Sequence, residues 1–195
     1  SFKETRVKRA AALLALLRGG EAKALARING SFNAVMYEPR RDSVRLLTDS
    51  MNLRPLYWAP YRGFLVFAPE IKCLAALPEF PLALNPVALF EALRFGFLFG
   101  DHTQFREIQR LPPAGELEAP RGGGRRLACH WTPPPPAPDS PGSEENDAAH
   151  ELGDRIVTAA ERCLRADAQP LLMLSGGLNS RAIALALAAL GARPD

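Results

Sequence analysis

Four consecutive prolines, Pro133-Pro134-Pro135-Pro136, constrain this chain more than any other feature, because neither a helix interior nor a central strand can run through them. The stretch around them, Thr132 to Asn146, continues in Ser, Gly and Asp. Such a composition builds no core and behaves as a semi-rigid spacer. The spacing predicts two folding units, residues 1–131 and 147–195, joined by a linker over 132–146.

The two sides of the linker differ in pattern. Thr5 to Arg18 is rich in Ala, Leu, Lys and Arg and stops at Gly19-Gly20, which predicts a helix. Short β-like runs follow at Phe32 to Tyr37, Ser43 to Thr48, Leu56 to Trp58 and Phe64 to Phe67, separated by turn signals at 38–42 and 60–63. They predict one antiparallel meander. Helices are expected near Glu70 and from Pro86, the latter capped by Asn85, and a hairpin from Gly115 to Trp131 turning at Arg121-Gly122-Gly123-Gly124. Beyond the linker, Asp147 to Leu164 has helical spacing, Pro170 to Leu174 reads as a short buried parallel strand, and Asn179 to Leu190 as a helix. Antiparallel hairpins followed by a strand-loop-helix pattern imply an α+β unit and the start of an α/β unit.

Composition excludes several classes. The formal charge of +3 is spread rather than striped, which argues against nucleic-acid binding. The longest apolar run, Ala10 to Leu17, is far shorter than the roughly 20 residues a membrane span needs. Cys73, Cys129 and Cys163 are odd in number and lack CxxC spacing, so neither a disulfide framework nor a zinc site is indicated. Cys73 reads as a buried helix residue. A reducing, cytoplasmic setting is expected, with no metal ligand assigned in the protein.

The chemically informative stretch is Leu174-Ser175-Gly176-Gly177-Leu178-Asn179-Ser180, placed between the expected strand and helix. Two glycines let backbone N–H groups approach an anion, the helix adds its positive end, and Ser175 and Ser180 offer hydroxyls. A lysine-bearing P-loop, a GxGxxG turn and a GxSxG nucleophile elbow are all absent, Met173 standing where the elbow needs glycine. A plain strand-to-helix turn is the alternative reading. The loop resembles the SGG-x-D-S pyrophosphate loop of the PP-loop ATP pyrophosphatases.

A series of further motifs occurs in the order found in glutamine-hydrolysing asparagine synthetases. Ile28-Asn29-Gly30-Ser31-Phe32 resembles LNG-x-F; Asp49 through Arg54-Pro55-Leu56-Tyr57-Trp58 resembles RD-x-x-G-x-x-PLYY. Phe67 to Lys72 resembles FASE-x-K, and Thr103-Gln104-Phe105 with Ile108 and Leu111-Pro112-Pro113-Ala114-Gly115 resembles T-x-F-x-x-I-x-x-LPPG. His130-Trp131 stands where that family often has Tyr-Trp. The resemblance implies a partial N-terminal-nucleophile hydrolase-like glutaminase domain, followed by the beginning of a PP-loop synthetase domain. It also implies ATP with Mg²⁺ as cofactors, glutamine and aspartate or another carboxylate as substrates, and a homodimer as the candidate assembly. By the same resemblance, Asp49 binds the amino group of glutamine, and Leu174 to Ser180 hold the pyrophosphate of ATP.

The chain also departs from the family. It contains no Met-Cys-Gly start, so no catalytic residue is assigned and the chain alone is expected not to hydrolyse glutamine. Thr48 replaces the family's Arg, Asn52 a glycine, and Asn179 the aspartate of the loop. A solvated or capping acid is the alternative role for Asp49. Arg181 reads as a surface residue that could also answer pyrophosphate charge. Three functions are therefore expected in competition: an asparagine synthetase-type ligase, a non-catalytic nucleotide-binding relative, and a divergent amide-forming enzyme of natural-product or saccharide synthesis.

Overall fold

The computed structural model describes residues 10–16, 25, 28, 30–135, 145–164 and 170–192. The ends of the expected first helix lie outside these residues, although 10–16 are helical. The chain divides into two compact units between Pro134 and Pro135.

In the first unit, strands β1 (Asn33–Glu38), β2 (Ser43–Thr48), β3 (Tyr57–Tyr61), β4 (Phe64–Ala68), β5 (Gln109–Arg110), β6 (Gly115–Pro120) and β7 (Arg126–Cys129) are joined with helices α1 (Ile71–Ala75) and α2 (Pro86–Phe95). The single meander is a misreading. The strands form two antiparallel sheets, ordered β1-β2-β6-β7 and β4-β3-β5. After β2 the chain leaves its sheet through residues 49–56, where Asn52 adopts φ 48°, and the place beside β2 is taken by β6. The second hairpin is tight: Arg62 and Gly63, at φ 48° and 83°, join the closing pair Tyr61 and Phe64 in the manner of a type I′ turn.

Two clusters form the core. Leu46 of β2 and Leu117 of β6 pack with Leu56, Trp58 and Leu111, so the sheets face one another. Ala59, Ala68, Leu74, Phe80 and Ile108 fill the opposite face of the second sheet, beneath α1. Trp58 and Ala59 point to opposite faces, yet both are buried, because this sheet is covered on both sides. Asn85 caps α2 through bonds from the N–H groups of Val87 and Ala88, Pro86 occupies the first helical position, and Gly96 closes the helix at φ 79°. The hairpin β6–β7 forms as the glycine run at 122–124 indicates.

The second unit contains α3 (Glu145–Cys163) packed on α4 (Leu178–Ala189). The expected buried strand at Pro170 to Leu174 is absent. Those residues form no strand and pair with none, and Met173 is 85% exposed. A buried parallel strand needs neighbours to accept its backbone groups, and among the described residues of this unit there is no strand to provide them. Cys73 also corrects an expectation: it is exposed, because α1 turns Leu74 inward instead. Among the described residues, no helix is long and apolar enough to cross a membrane.

Candidate functional site

Asp49 follows β2 and is 98% removed from solvent, being only 2% exposed. Its Oδ1 accepts from the N–H groups of Met51 and Leu53 at 3.1 and 3.2 Å, and Oδ2 accepts from Phe32 N–H at 3.2 Å. Its own backbone is also held, its N–H donating to Phe32 and its carbonyl accepting from Asn52 and Ala114. The 49–53 loop therefore folds around the carboxylate, a structural role that the capping alternative describes. The charge has no cationic partner within 4 Å among the described residues. A carboxylate offers about four lone-pair sites. Three are taken by N–H groups, which leaves one acceptor site and an unneutralised buried charge.

The floor under Asp49 is tightly bonded. Thr48, fully buried, donates to the carbonyl of Pro112 at 2.7 Å and accepts from Gly115 N–H at 3.0 Å. The Asn52 side chain donates to the carbonyl of Leu111 at 2.7 Å. His130 Nε2 lies 3.0 Å from the carbonyl oxygen of Thr48, so that nitrogen carries the hydrogen. Neither Asn52 nor His130 was given a role by sequence; both earn their place through contacts to backbone far away in the chain, a signal that spacing does not carry. Cys129 directs its thiol at the Pro113 carbonyl and His130 its ring at Thr48, so the neighbours form no Cys–His pair.

A groove of about 1150 Å³ runs along β1 and is lined by Leu13, Leu16, Phe32, Val35, Arg54 and Pro69, among others. Phe32 joins this groove to the Asp49 carboxylate. Arg54 is held at its mouth by a bond from Nε to Ser31 Oγ, 3.1 Å.

The second unit carries the other site. Gly176 takes φ 76°, a conformation that glycine reaches without strain. Gly177 is the residue before α4 and supplies no side-chain cap, and the first turn holds no acid. The first-turn N–H groups of this helix are therefore not engaged by a capping side chain. The hydroxyls of Ser175 and Ser180 lie 3.2 Å apart, and Ser180 also donates to the Gly177 carbonyl at 3.1 Å. These two hydroxyls brace the loop from within. Leu174, Leu178 and Asn179 are exposed, and Arg181 follows on the helix surface. Asp49 and this loop belong to separate units. Among the described residues no group of His, Cys, Asp and Glu side chains gathers as a metal site.

A further dyad, Glu91 and His102, was not singled out in the sequence. His102 Nδ1 lies 3.0 Å from both carboxylate oxygens, and Phe99 N–H donates to Oε2 at 3.1 Å. The hydrogen bond from His102 is the main cause holding the Glu91 carboxyl below its ordinary range. Glu91 interrupts an apolar helix face, the one local hint of such a partner.

The first unit is thus a two-sheet α+β unit with a buried acid beside a groove. Residues 9–131 match the glutamine amidotransferase domain family, and the chain belongs to that family. It is similar to asparagine synthetase [glutamine-hydrolyzing] 2 of Bacillus subtilis (strain 168), 28% identical over 80% of this chain and 22% of the relative. It is also similar to amidase chyE of Penicillium rubens, 24% identical over 82% of this chain and 23% of the relative. The chain thus spans less than a quarter of the length of these relatives.

Proposed function

We propose that this chain is part of a glutamine-dependent, ATP-using amide ligase of asparagine synthetase type. The first unit would be a glutaminase domain of N-terminal-nucleophile hydrolase type, which binds glutamine and releases ammonia. The observation that carries this reading is Asp49: a buried carboxylate with one acceptor site left and no cation opposite it suits the ammonium group of an amino-acid substrate. The β1 groove would take the rest of the glutamine. The attacking cysteine would come from a part of the protein outside this sequence.

The second unit would begin the ATP-binding PP-loop domain, with residues Leu174, Ser175, Gly176, Gly177, Leu178, Asn179 and Ser180 at the pyrophosphate. Its open helix N-terminus and left-handed Gly176 suit an anion. For Mg²⁺ the loop supplies only the Asn179 amide and hydroxyls, so the metal would rest mainly on phosphate oxygens and water. When bound, ATP supplies the activation of a carboxylate, aspartate or another, for attack by ammonia. A cytoplasmic location and a homodimer complete the proposal. The inward-turned serines and Asn179 favour one second reading, a nucleotide-binding relative without ligase activity.

The test is glutamate release from glutamine by the full-length protein. Asp49→Asn is expected to raise KM for glutamine about tenfold or more, the scale of losing one charge-assisted bond, with the circular dichroism spectrum retained. An unchanged KM in a folded variant would remove Asp49 from the substrate site. Carboxylate-dependent exchange of pyrophosphate into ATP tests the second unit, and its absence alongside ATP binding would leave the non-ligase reading.

A further inference from the structure

A small pocket of about 160 Å³ in the first unit is lined by Tyr57, Phe97, Leu98, His102, Gln104 and Arg110, with Ile71 and Thr103 completing it. None of these residues contacts Asp49 or lines the β1 groove. Arg110 offers donors alone, while Tyr57 and Gln104 can donate or accept. The Tyr57 hydroxyl and the Gln104 amide have no hydrogen-bond partner among the described residues, and no carboxylate lies within 4 Å of Arg110 among them. No acidic residue lines the pocket.

The two basic groups are positioned from behind. Arg110 is fixed by its β5 pairing to Tyr57, by its N–H to the Asp101 carbonyl at 2.9 Å and by Nη2 to the Gly100 carbonyl at 2.6 Å. These bonds leave the rest of its guanidinium fork without an acceptor. Its Nε is buried with no partner. His102 is held at Nδ1 by Glu91, which is itself anchored by Phe99 N–H and does not line the pocket. That arrangement leaves Nε2 without a partner among the described residues, and it donates there only when the ring carries a hydrogen on both nitrogens.

We infer that this pocket binds a small oxyanion, a carboxylate or a phosphate, between His102 and Arg110. An anion would satisfy the unpartnered Arg110 Nε and answer a guanidinium charge that no carboxylate meets among the described residues. The apolar walls of Ile71, Phe97 and Leu98 lower the local dielectric and strengthen each bond. Arg110 supplies the directional contact, Tyr57 and Gln104 the neutral ones, and His102 couples binding to a proton.

The experiment is calorimetric titration of the full-length protein with sodium acetate and, separately, with sodium phosphate. Ionic strength is held by sodium chloride. The expected result is one saturable site that Arg110→Gln weakens about tenfold or more and His102→Gln about threefold or more. The stronger of the two probes identifies the oxyanion class. Absence of saturable binding for both probes, or equal binding by wild type and a folded Arg110→Gln variant, would overturn the proposal. If Arg110→Gln does not fold, Arg110→Lys replaces it, and if that also fails, undiminished binding by His102→Gln overturns the proposal.

Discussion

His130 donates from Nε2 to the carbonyl oxygen of Thr48 at 3.0 Å, tying the residue that follows β7 to the end of the strand that delivers Asp49. His130 N–H also bonds the Ala114 carbonyl, and Ala114 N–H bonds that of Asp49. One side chain thereby secures the far ends of β2 and β7. Replacing His130 with Ala is expected to destabilise the first unit by about 1–2 kcal/mol, mostly through the Thr48 carbonyl left without its donor. Chemical denaturation measures the loss, and a change within error would reduce the contact to a bystander.

Gly115 begins β6 at a point where a Cβ would lie 2.7 Å from the Pro112 carbonyl oxygen and 3.0 Å from Leu111 Cγ. The first neighbour is backbone and cannot turn aside. Gly115→Ala should cost about 2 kcal/mol or more, the scale of overpacking a closed site. Thermal unfolding reads it directly, and a variant as stable as wild type would show that the 111–115 turn yields.

Glu91 sets a pH dependence. Its carboxyl is held below the ordinary 4.5 by the His102 hydrogen bond. A group whose folded pKa is depressed gives stability that is present above the unfolded value and lost as pH falls through the folded one. Wild type should therefore lose stability on acidification below about pH 4.5, and Glu91→Gln should show a shallower acid limb. Melting temperatures between pH 3 and 7 compare the two, and parallel profiles would contradict the assignment.

Asn179, exposed in the first turn of α4, is the residue here nearest in character to a metal ligand. Asn179→Asp is expected to strengthen binding of Mg²⁺ with ATP by several-fold in the full-length protein, because an anionic oxygen suits a hard cation better than an amide. Fluorescent-nucleotide titration with and without Mg²⁺ checks this. A gain that persists without the metal would point to the loop backbone instead.

The elements legible in the sequence were those fixed locally. The Asn85-Pro86 start of α2, the turns closing β1 to β2 and β3 to β4, and the glycine turn before β7 rest on residues a few positions apart. Pairing across the chain was not legible: β2 meets β6 through Leu46 and Leu117, and nothing near Thr48 announces that the chain will cross to another sheet. The apolar run before Ser175 misled because a short run of hydrophobic letters marks a buried strand only where neighbouring strands pair with it, and none does so among the described residues. Asp49 is singled out by its motif, but its three N–H donors come from backbone, which carries no residue type. Glu91 and His102 stayed hidden for the complementary reason that a helix and a later loop supply one member each.

Pro60 has a consequence beyond the hairpin. Counting from the closing pair Tyr61 and Phe64, Pro60 falls at a position whose nitrogen points away from β4, toward the side that β5 covers only at Tyr57 and Trp58. The stretch past Trp58 is therefore an open sheet edge inside the unit, and proline withdraws the donor that a passing strand would need there. A ring that contributes no backbone hydrogen keeps this gap from recruiting neighbouring molecules, so the protein carries its own protection against edge-to-edge association at crowded concentrations.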